Sequence, residues 1–171
     1  MNQWLQRVSF LALLLNAAAL GVHYYAVHKN ADRAALPKGS VIQPVTGLDT
    51  QGFPVSESAA TTSPCHIVRY TSIHCPWCRK DEHSWSDFEQ TLHSHGCDST
   101  ILAPGASDLP QSASPVFNRR MVSVVPASVA QQLNLVATPT TIVLDHAWKV
   151  TWSAVGVLQP DDIDNALSSL R

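Results

Sequence analysis

One short motif restricts the fold of this chain more than any other feature: Cys75-Pro76-Trp77-Cys78, which stands between two different periodicities. The run before it, from Ile67 to Ile73, is rich in β-branched residues, as strands are. After it, apolar residues recur at three- and four-residue steps, a pattern typical of an amphipathic helix. The motif is therefore predicted to lie where a strand ends and a helix begins.

This position suits the two cysteines to redox chemistry. A cysteine at a helix N-terminus meets unpaired backbone N–H groups and the positive end of the helix dipole, and both favour the thiolate. Cys75 is therefore predicted to be the nucleophile, and Cys78, one helical turn further on, to be the shielded resolving partner. Pro76 fits the first helical turn, where a missing N–H costs nothing. The alternatives are a plain structural disulfide and half of a zinc site, although the chain has no second C-x-x-C.

The helix after the motif is predicted to run from Pro76 to about Ser94, with Gly96 as its C-cap. Its inward stripe consists of Cys78, Asp81, Trp85, Phe88 and Leu92. Two interpretations of Asp81 stay open. Desolvation would raise the pKa of its carboxyl and let it take the proton of Cys78, or it is a helix-stabilising charge paired with Lys80 or Arg79.

A second signal is Thr138-Pro139, which directly precedes the β-branched run from Thr140 to Asp145. A proline at the start of a strand marks an edge or a cis turn, and Thr-Pro by itself is most often a turn. Together with the CPWC helix, the pair resembles the thioredoxin superfamily, in which a cis-proline faces the redox cysteines. The resemblance implies substrate-binding roles for Thr138, Pro139, Pro76 and Trp77.

Within that superfamily, residues 40–171 resemble the membrane-tethered TlpA/ResA/CcmG-like thiol-disulfide oxidoreductases. Asp81 stands where that family has a glutamate. Two departures concern the direction of electron flow: His74 replaces a tryptophan, and Pro76-Trp77 is not a typical reductase dipeptide. The motif is also similar to that of the DsbC/DsbG isomerases, whose dimerisation domain has no room here.

The resemblance implies an α/β, thioredoxin-like fold with a central mixed sheet flanked by helices. It also implies that the Cys75–Cys78 disulfide is the reactive group and that no other cofactor is needed. A protonated His74 would stabilise the Cys75 thiolate, whereas an exposed neutral imidazole is the alternative.

The first 30 residues are predicted to be an export segment. Residues 8–27 are mostly apolar, and about 20 residues cross one bilayer as a helix. An uncleaved anchor is favoured by the aromatic residues Trp4, Tyr24 and Tyr25. A signal peptide that is cleaved near three consecutive alanines is the alternative.

The remaining chain is interpreted as a tether, residues 31–40, followed by one thioredoxin-like domain, residues 41–171. The expected location is the bacterial inner membrane with the domain facing the periplasm. If the export segment is removed, a soluble periplasmic protein is expected instead.

Cys65 and Cys97 are the other two of the four cysteines. Each precedes a predicted strand, and a βαβ crossover makes those strands parallel neighbours whose starting ends meet. An exported chain suits disulfides. The sequence therefore predicts a structural Cys65–Cys97 disulfide, with two free thiols or a second redox relay as alternatives.

Other predicted elements complete the domain. They are a hairpin-like segment at Thr46–Val55, an irregular insertion at Pro104–Arg120, a helix at Ala127–Leu133, a hairpin of Thr140–Leu144 with Val150–Val155, and a terminal helix at Pro160–Leu170 that has Pro160 at its first position.

Charge and histidine placement exclude some partners. The net charge of −2 gives no reason to expect a polyanion, so no nucleic-acid partner is predicted. His93 and His95 suggest copper, but on a helix their side chains diverge by about 200°, so no metal site is expected.

These features predict a protein thiol-disulfide oxidoreductase that acts on client proteins with thiols or disulfides. The family resemblance implies a reductase that receives electrons from a membrane partner, for example in cytochrome c maturation or another envelope assembly pathway. The alternatives are an oxidase or isomerase similar to DsbA and DsbC, and an assembly module that binds clients without turnover.

Overall fold

The chain forms two compact units, Met1–Arg33 and Ala34–Arg171. The computed structural model describes residues 35–43, 46–48, 54–56, 63–108, 119–122, 125 and 127–171, and, in the N-terminal unit, Leu13, Asn16, Ala18 and Leu20. These four residues are helical and exposed, whereas most of the predicted export segment lies outside the described residues. Among the described helices, none has the length and apolar character needed to cross a bilayer.

The second unit alternates strands and helices. Its strands are β1 Thr46–Leu48, β2 Pro54–Ser56, β3 Cys65–Tyr70, β4 Asp98–Leu102, β5 Arg119–Val122, β6 Thr140–Asp145 and β7 Val150–Val155. Its helices are α1 Pro76–Lys80, α2 Glu82–Ser94, α3 Ala127–Gln132 and α4 Asp162–Ser169, with a 3₁₀ turn at Ala106–Asp108.

Five strands form one mixed sheet in the order β5-β4-β3-β6-β7. β3 pairs in parallel with β4, and β4 with β5, whereas β6 is antiparallel to both β3 and β7. β1 and β2 form a separate antiparallel pair. The mixed sheet predicted from the sequence is therefore confirmed, including the parallel β3–β4 crossover and the β6–β7 hairpin.

Alternate residues of the central strands face two apolar layers. Ile67 of β3 lies in one layer with Trp85 and Phe88 of α2, and α4 adds Ala166. Val68, its neighbour in sequence, lies in the other layer with Leu133, which follows α3. The sheet thus has a helix layer on each face, which keeps the central strands away from water.

The helix after the CPWC motif differs from the prediction because it is broken at Asp81. α1 ends at Lys80 and α2 begins at Glu82. The Asp81 carboxylate accepts a hydrogen bond from the Leu158 backbone N–H at 2.8 Å, so the chain turns at Asp81 and holds it in the interior. Beyond Ser94 the chain leaves the helix and reaches Gly96 with φ of +87°, as the predicted C-cap requires.

The N-terminal boundary of the domain lies inside the segment that was interpreted as a tether. Ala35 is buried, and its carbonyl accepts a hydrogen bond from the Asn134 side chain at 2.8 Å. The Leu36 N–H donates to the Ser153 hydroxyl at 3.0 Å. These contacts fix residues 35–40 against the sheet, a long-range effect that local composition does not reveal.

Two other predicted boundaries were wrong. Arg119 and Arg120 belong to β5, where they pair with β4, and not to an irregular insertion. The terminal helix begins at Asp162, with Asp161 as its N-cap, because the Asp162 carboxylate accepts the Gln159 N–H at 2.6 Å and closes a turn around Pro160. Residues 109–118 of the predicted insertion lie outside the described residues.

Candidate active site

The redox motif follows the C-terminal end of β3, as the sequence predicts. The loop after Tyr70 turns the chain, and the Cys75 N–H donates to the Ser72 carbonyl at 3.1 Å. Cys75 is the N-cap of α1 and has an extended backbone, with Pro76 in the first turn after it. Cys75 and Cys78 are both free thiols, so the structure shows the dithiol state.

Hydrogen bonds to the Cys75 sulfur favour its thiolate. The Cys78 backbone N–H donates to Cys75 Sγ at 3.1 Å, whereas in the contact with the Thr138 carbonyl, at 3.4 Å, the Cys75 thiol is itself the donor. Burial alone would raise the pKa of Cys75, but hydrogen bonds from Cys78 and from the Thr138 and Trp77 positions outweigh it and lower this pKa. Cys75 is thus suited to nucleophilic attack.

Cys78 has the opposite character. Its side chain is buried, and this desolvation raises the pKa of its thiol, as does the hydrogen bond with Cys75. Interactions with Thr71, Ser72 and Thr138 oppose the shift only in part. One half-buried thiol whose pKa is lowered and one buried thiol whose pKa is raised, in the same motif, give the asymmetry that a nucleophile and its resolving partner need.

The Thr138-Pro139 turn lies directly against Cys75. Its peptide bond is cis, and Pro139 is buried at the start of β6. The Pro139 carbonyl accepts the Gly156 N–H at 2.8 Å, which ties the turn to the end of β7. The Thr138 carbonyl faces Cys75, so a client segment that approaches this sulfur must also meet the turn.

Two side chains next to the cysteines face solvent. The Trp77 side chain is 59% exposed, and the Lys80 ammonium lies 5.4 Å from its ring centroid. His74 is exposed as well, and its backbone N–H donates to the Ser72 hydroxyl at 3.2 Å. The neighbours with the largest effect on the pKa of Cys75 are Cys78, Thr138 and Trp77, all of which act through hydrogen bonds. Hydrogen bonding, rather than the His74 imidazole, therefore explains why this pKa is lowered.

Asp81, which ends the helix that begins in the motif, is completely buried, and its ion-pair partner differs from those predicted. Neither Lys80 nor Arg79 is that partner; Arg69 of β3 is, with Nη2 at 3.4 Å from Asp81 Oδ2 and a side chain that is 1% exposed. Burial raises the pKa of Asp81, and Arg69 opposes that rise. A raised pKa makes this carboxyl a better proton acceptor near neutral pH than an ordinary aspartate.

The loop before the motif is held by the 3₁₀ turn. The Ser72 hydroxyl donates to the Asp108 carboxylate, and the Ile73 N–H donates to the Asp108 carbonyl at 3.0 Å. Because Ser72 also bonds the backbone of His74 and Cys75, Asp108 helps to fix the segment that leads into Cys75.

The second cysteine pair lies at the other end of β3. Cys65 and Cys97 form a disulfide, with Cα atoms 4.5 Å apart, in the apolar layer that contains Trp85 and Phe88. Cys65 begins β3, whereas Cys75 follows its far end, so the disulfide lies away from the free thiols. This is the pairing that the sequence predicts for a structural bridge.

Several solved structures that are similar in fold to this chain are named thiol-disulfide oxidoreductases or thiol:disulfide interchange proteins. A putative thiol:disulfide interchange protein DsbE from Chlorobium tepidum matches with a TM-score of 0.61 at 16% identity, over 80% of this chain and 99% of that one. The thioredoxin domain of an oxidoreductase from Bacteroides vulgatus matches with a TM-score of 0.55 at 19% identity, over 78% and 96% of the two chains.

This chain has the thioredoxin fold. Peroxidoxin BcpB from Mycobacterium tuberculosis shares it, with a TM-score of 0.60 at 18% identity over 80% of this chain and 97% of that one. No known family model matches the sequence, and no curated protein does either.

The thioredoxin fold brings together residues that are far apart in the sequence. Cys75 and Thr138 were both candidates, and the fold places them in contact. Sequence reasoning missed Arg69 and Asp108. An arginine inside an otherwise buried strand was the available signal for Arg69, because a buried cation needs a carboxylate partner. No comparable signal marked Asp108.

Proposed function

We propose that this chain is a thiol-disulfide oxidoreductase that exchanges the Cys75–Cys78 disulfide with the thiols and disulfides of client proteins. The observation that carries the proposal is the asymmetry of the two sulfurs. The pKa of Cys75 is lowered at a helix N-cap beside the Thr138 turn, whereas the pKa of the buried Cys78 is raised. Both cysteines lie in one helical turn, so their sulfur atoms can form a disulfide with each other.

In the reductase direction, the Cys75 thiolate attacks a client disulfide and forms a mixed disulfide, and one client sulfur leaves as a thiolate. Cys78 then loses its proton and attacks the Cys75 sulfur, which releases the second client sulfur. The client has gained two electrons and two protons, and Cys75 and Cys78 have become a disulfide. A partner dithiol must return two electrons before the next cycle.

The client is expected to lie across Trp77 and the Thr138-Pro139 turn, the exposed ring and the carbonyl that border the nucleophile. The apolar N-terminal run supports an envelope location, with the domain in the periplasm and a membrane protein as electron partner. Cytochrome c maturation or another envelope assembly pathway is the setting that the family resemblance suggests.

One observation favours a second candidate, a disulfide oxidase or isomerase. Hydrogen bonds that stabilise the Cys75 thiolate stabilise the reduced state of the pair, and this makes the disulfide more oxidising. Pro76-Trp77, which is not a typical reductase dipeptide, is consistent with that direction.

The test is to measure two properties of the full chain. The first is the exchange rate with a disulfide-bonded model protein, for the wild type, Cys75→Ser and Cys78→Ser. We expect Cys75→Ser to abolish exchange and Cys78→Ser to accumulate the mixed disulfide. Equal rates in the wild type and Cys75→Ser would exclude catalysis and leave a client-binding module.

The second property is the reduction potential of the Cys75/Cys78 pair, equilibrated against dithiothreitol and glutathione buffers. A potential near about −270 mV, as in thioredoxin, supports the reductase direction. A value near about −120 mV, as in DsbA, overturns that direction and supports the oxidase.

A further inference from the structure

Two residues outside the CPWC motif, Ser72 and Asp108, bind the backbone that leads into it. The Ile73 N–H donates to the Asp108 carbonyl at 3.0 Å. The His74 N–H donates to the Ser72 hydroxyl at 3.2 Å, and the Cys75 N–H donates to the Ser72 carbonyl at 3.1 Å. Three consecutive backbone donors are therefore satisfied by this one pair of residues.

The hydrogen bond between the two side chains sets the direction of the Ser72 hydroxyl. The hydroxyl donates its one proton to the Asp108 carboxylate, and an ionised carboxylate can only accept. The lone pairs of the hydroxyl oxygen are then left for the His74 N–H, which is the bond that the structure shows. Ser72 is 8% exposed, so water competes little for this hydroxyl. Asp108 therefore orients a group that lies 36 positions earlier in the chain.

The 3₁₀ turn packs closely around the Asp108 carboxylate. The Asp108 N–H donates to the Gly105 carbonyl at 3.0 Å, and a Cβ atom on Gly105 would lie 3.2 Å from Asp108 Oδ2. A larger residue at position 105 would push the carboxylate by a few tenths of an ångström. The carboxylate can thus be displaced by a substitution that changes neither Ser72 nor Asp108.

Cys75 depends on the backbone before it because it is the N-cap of α1. Its extended backbone, with φ of −82° and ψ of 116°, places Sγ where the Cys78 N–H donates to it at 3.1 Å. An N-cap side chain accepts such a bond while its own backbone stays outside the helical conformation. The Ser72 carbonyl, which accepts the Cys75 N–H, supports that conformation from the preceding loop.

We propose, on the basis of the function given above, that Ser72 and Asp108 are positioning residues that hold Cys75 in the N-cap geometry its thiolate needs. Their hydrogen bond orders the loop so that Cys75 Sγ stays within reach of the Cys78 N–H. Without it the N-cap loosens, and the thiolate loses part of the hydrogen bonding that favours it over the thiol. Asp108 acts on the sulfur through Ser72 and the backbone, and not by contact.

The test is the pH dependence of Cys75 alkylation by iodoacetamide in the full chain with Cys78→Ser, in which Cys75 is the one motif thiol left. Adding Ser72→Ala removes the hydroxyl and changes no charge. The pKa of Cys75 should then rise by about half a unit, so alkylation at a pH below it should slow about threefold. Ser72→Thr keeps a hydroxyl and should stay near the parent profile.

The Asp108 variants separate hydrogen bonding from charge. Asp108→Ala removes the acceptor of Ser72, which should raise the pKa of Cys75, and also a negative charge, whose loss by itself would lower it. Asp108→Asn keeps an accepting oxygen and loses the charge, so its profile should match the parent or lie slightly lower. Asp108→Ala added to Ser72→Ala should not raise the pKa further, because both changes remove the same bond.

Gly105→Ala tests the same bond from outside the pair. The added methyl group displaces the Asp108 carboxylate, so the pKa of Cys75 should rise in the same direction as in Ser72→Ala. This variant also keeps the inference testable if Ser72→Ala does not fold.

Ser99→Ala is the matched control, because Ser99 is another buried serine whose hydroxyl donates to a carboxylate, that of Glu89, at 2.6 Å. Ser99 lies near the start of β4, whereas the turn that contains Asp108 follows the end of β4. Ser99→Ala should lower the free energy of unfolding and leave the Cys75 profile unchanged.

Two results would overturn the inference. One is a parent-like Cys75 profile in both Ser72→Ala and Gly105→Ala, and the other is a shift in Ser99→Ala as large as that in Ser72→Ala. The titration needs no client, so it can fail while the exchange assay succeeds, and the two proposals fail separately.

Discussion

Removal of the Cys65–Cys97 disulfide should destabilise the domain without removing its redox chemistry. The bridge joins positions 32 residues apart. In the chain-entropy account, a closed loop of that length restricts the unfolded chain enough to add about 3.7 kcal/mol to the free energy of unfolding. For a domain of this size, such a loss lowers the melting temperature by roughly 10 °C.

The assay is urea denaturation of the wild type and of Cys65→Ala/Cys97→Ala, each with and without dithiothreitol. Reductant should lower the free energy of unfolding of the wild type by the amount that the closed loop contributes. It should leave the free energy of unfolding of the double variant unchanged. The variant should be somewhat less stable than the reduced wild type, because two buried sulfur atoms are missing from the apolar layer. Exchange at Cys75 should stay within about twofold, since the bridge lies at the opposite end of β3.

Two results would refute this reasoning. One is a loss of stability below about 1 kcal/mol in the double variant, which would mean that the bridge does not restrict the unfolded chain as the loop length implies. The other is a folded variant whose exchange rate falls as far as that of Cys75→Ser, which would make the bridge part of a redox relay.

Three further predictions concern the motif and Asp81. In the native dithiol form, iodoacetamide should modify Cys75 and leave Cys78 unmodified, and the pH dependence of the rate should have its midpoint below the usual thiol pKa of about 8.5. Peptide mapping that finds Cys78 modified first would contradict the proposed roles. Trp77→Ala should slow exchange with a protein client several-fold and change the melting temperature by less than about 2 °C, because the ring is exposed. A melting shift as large as that of a core variant would refute the exposed placement. Burial raises the pKa of Asp81 above its unfolded value of about 3.9, so its contribution to stability is complete below that pH and is lost as the pH rises through the folded pKa. The free energy of unfolding of the wild type, measured by urea denaturation relative to that of Asp81→Asn, should therefore fall as the pH rises. If this difference grew with pH instead, the pKa of Asp81 would not be raised in the folded protein.

Much of the site could be predicted because its signals are local. The strand run before Cys75 and the helical periodicity after Cys78 define the N-cap within about 25 residues of sequence. The buried stripe that contains Asp81 follows from the same periodicity. The approach of Thr138 to Cys75 was not local, and it was predictable only through resemblance to the thioredoxin superfamily.

The sequence alone thus predicted the motif at a strand-to-helix junction and the order of its two thiols, because both depend on neighbouring residues, whereas the α/β class was expected from the family resemblance. The tertiary structure decided which cation meets Asp81, since the sequence offered Lys80 and Arg79 one and two positions away. Arg69 takes that place because β3 lies beneath the helix break and the buried carboxylate points toward the sheet, out of reach of the exposed side chains. Long-range burial, rather than distance along the chain, selects the partner of a buried charge.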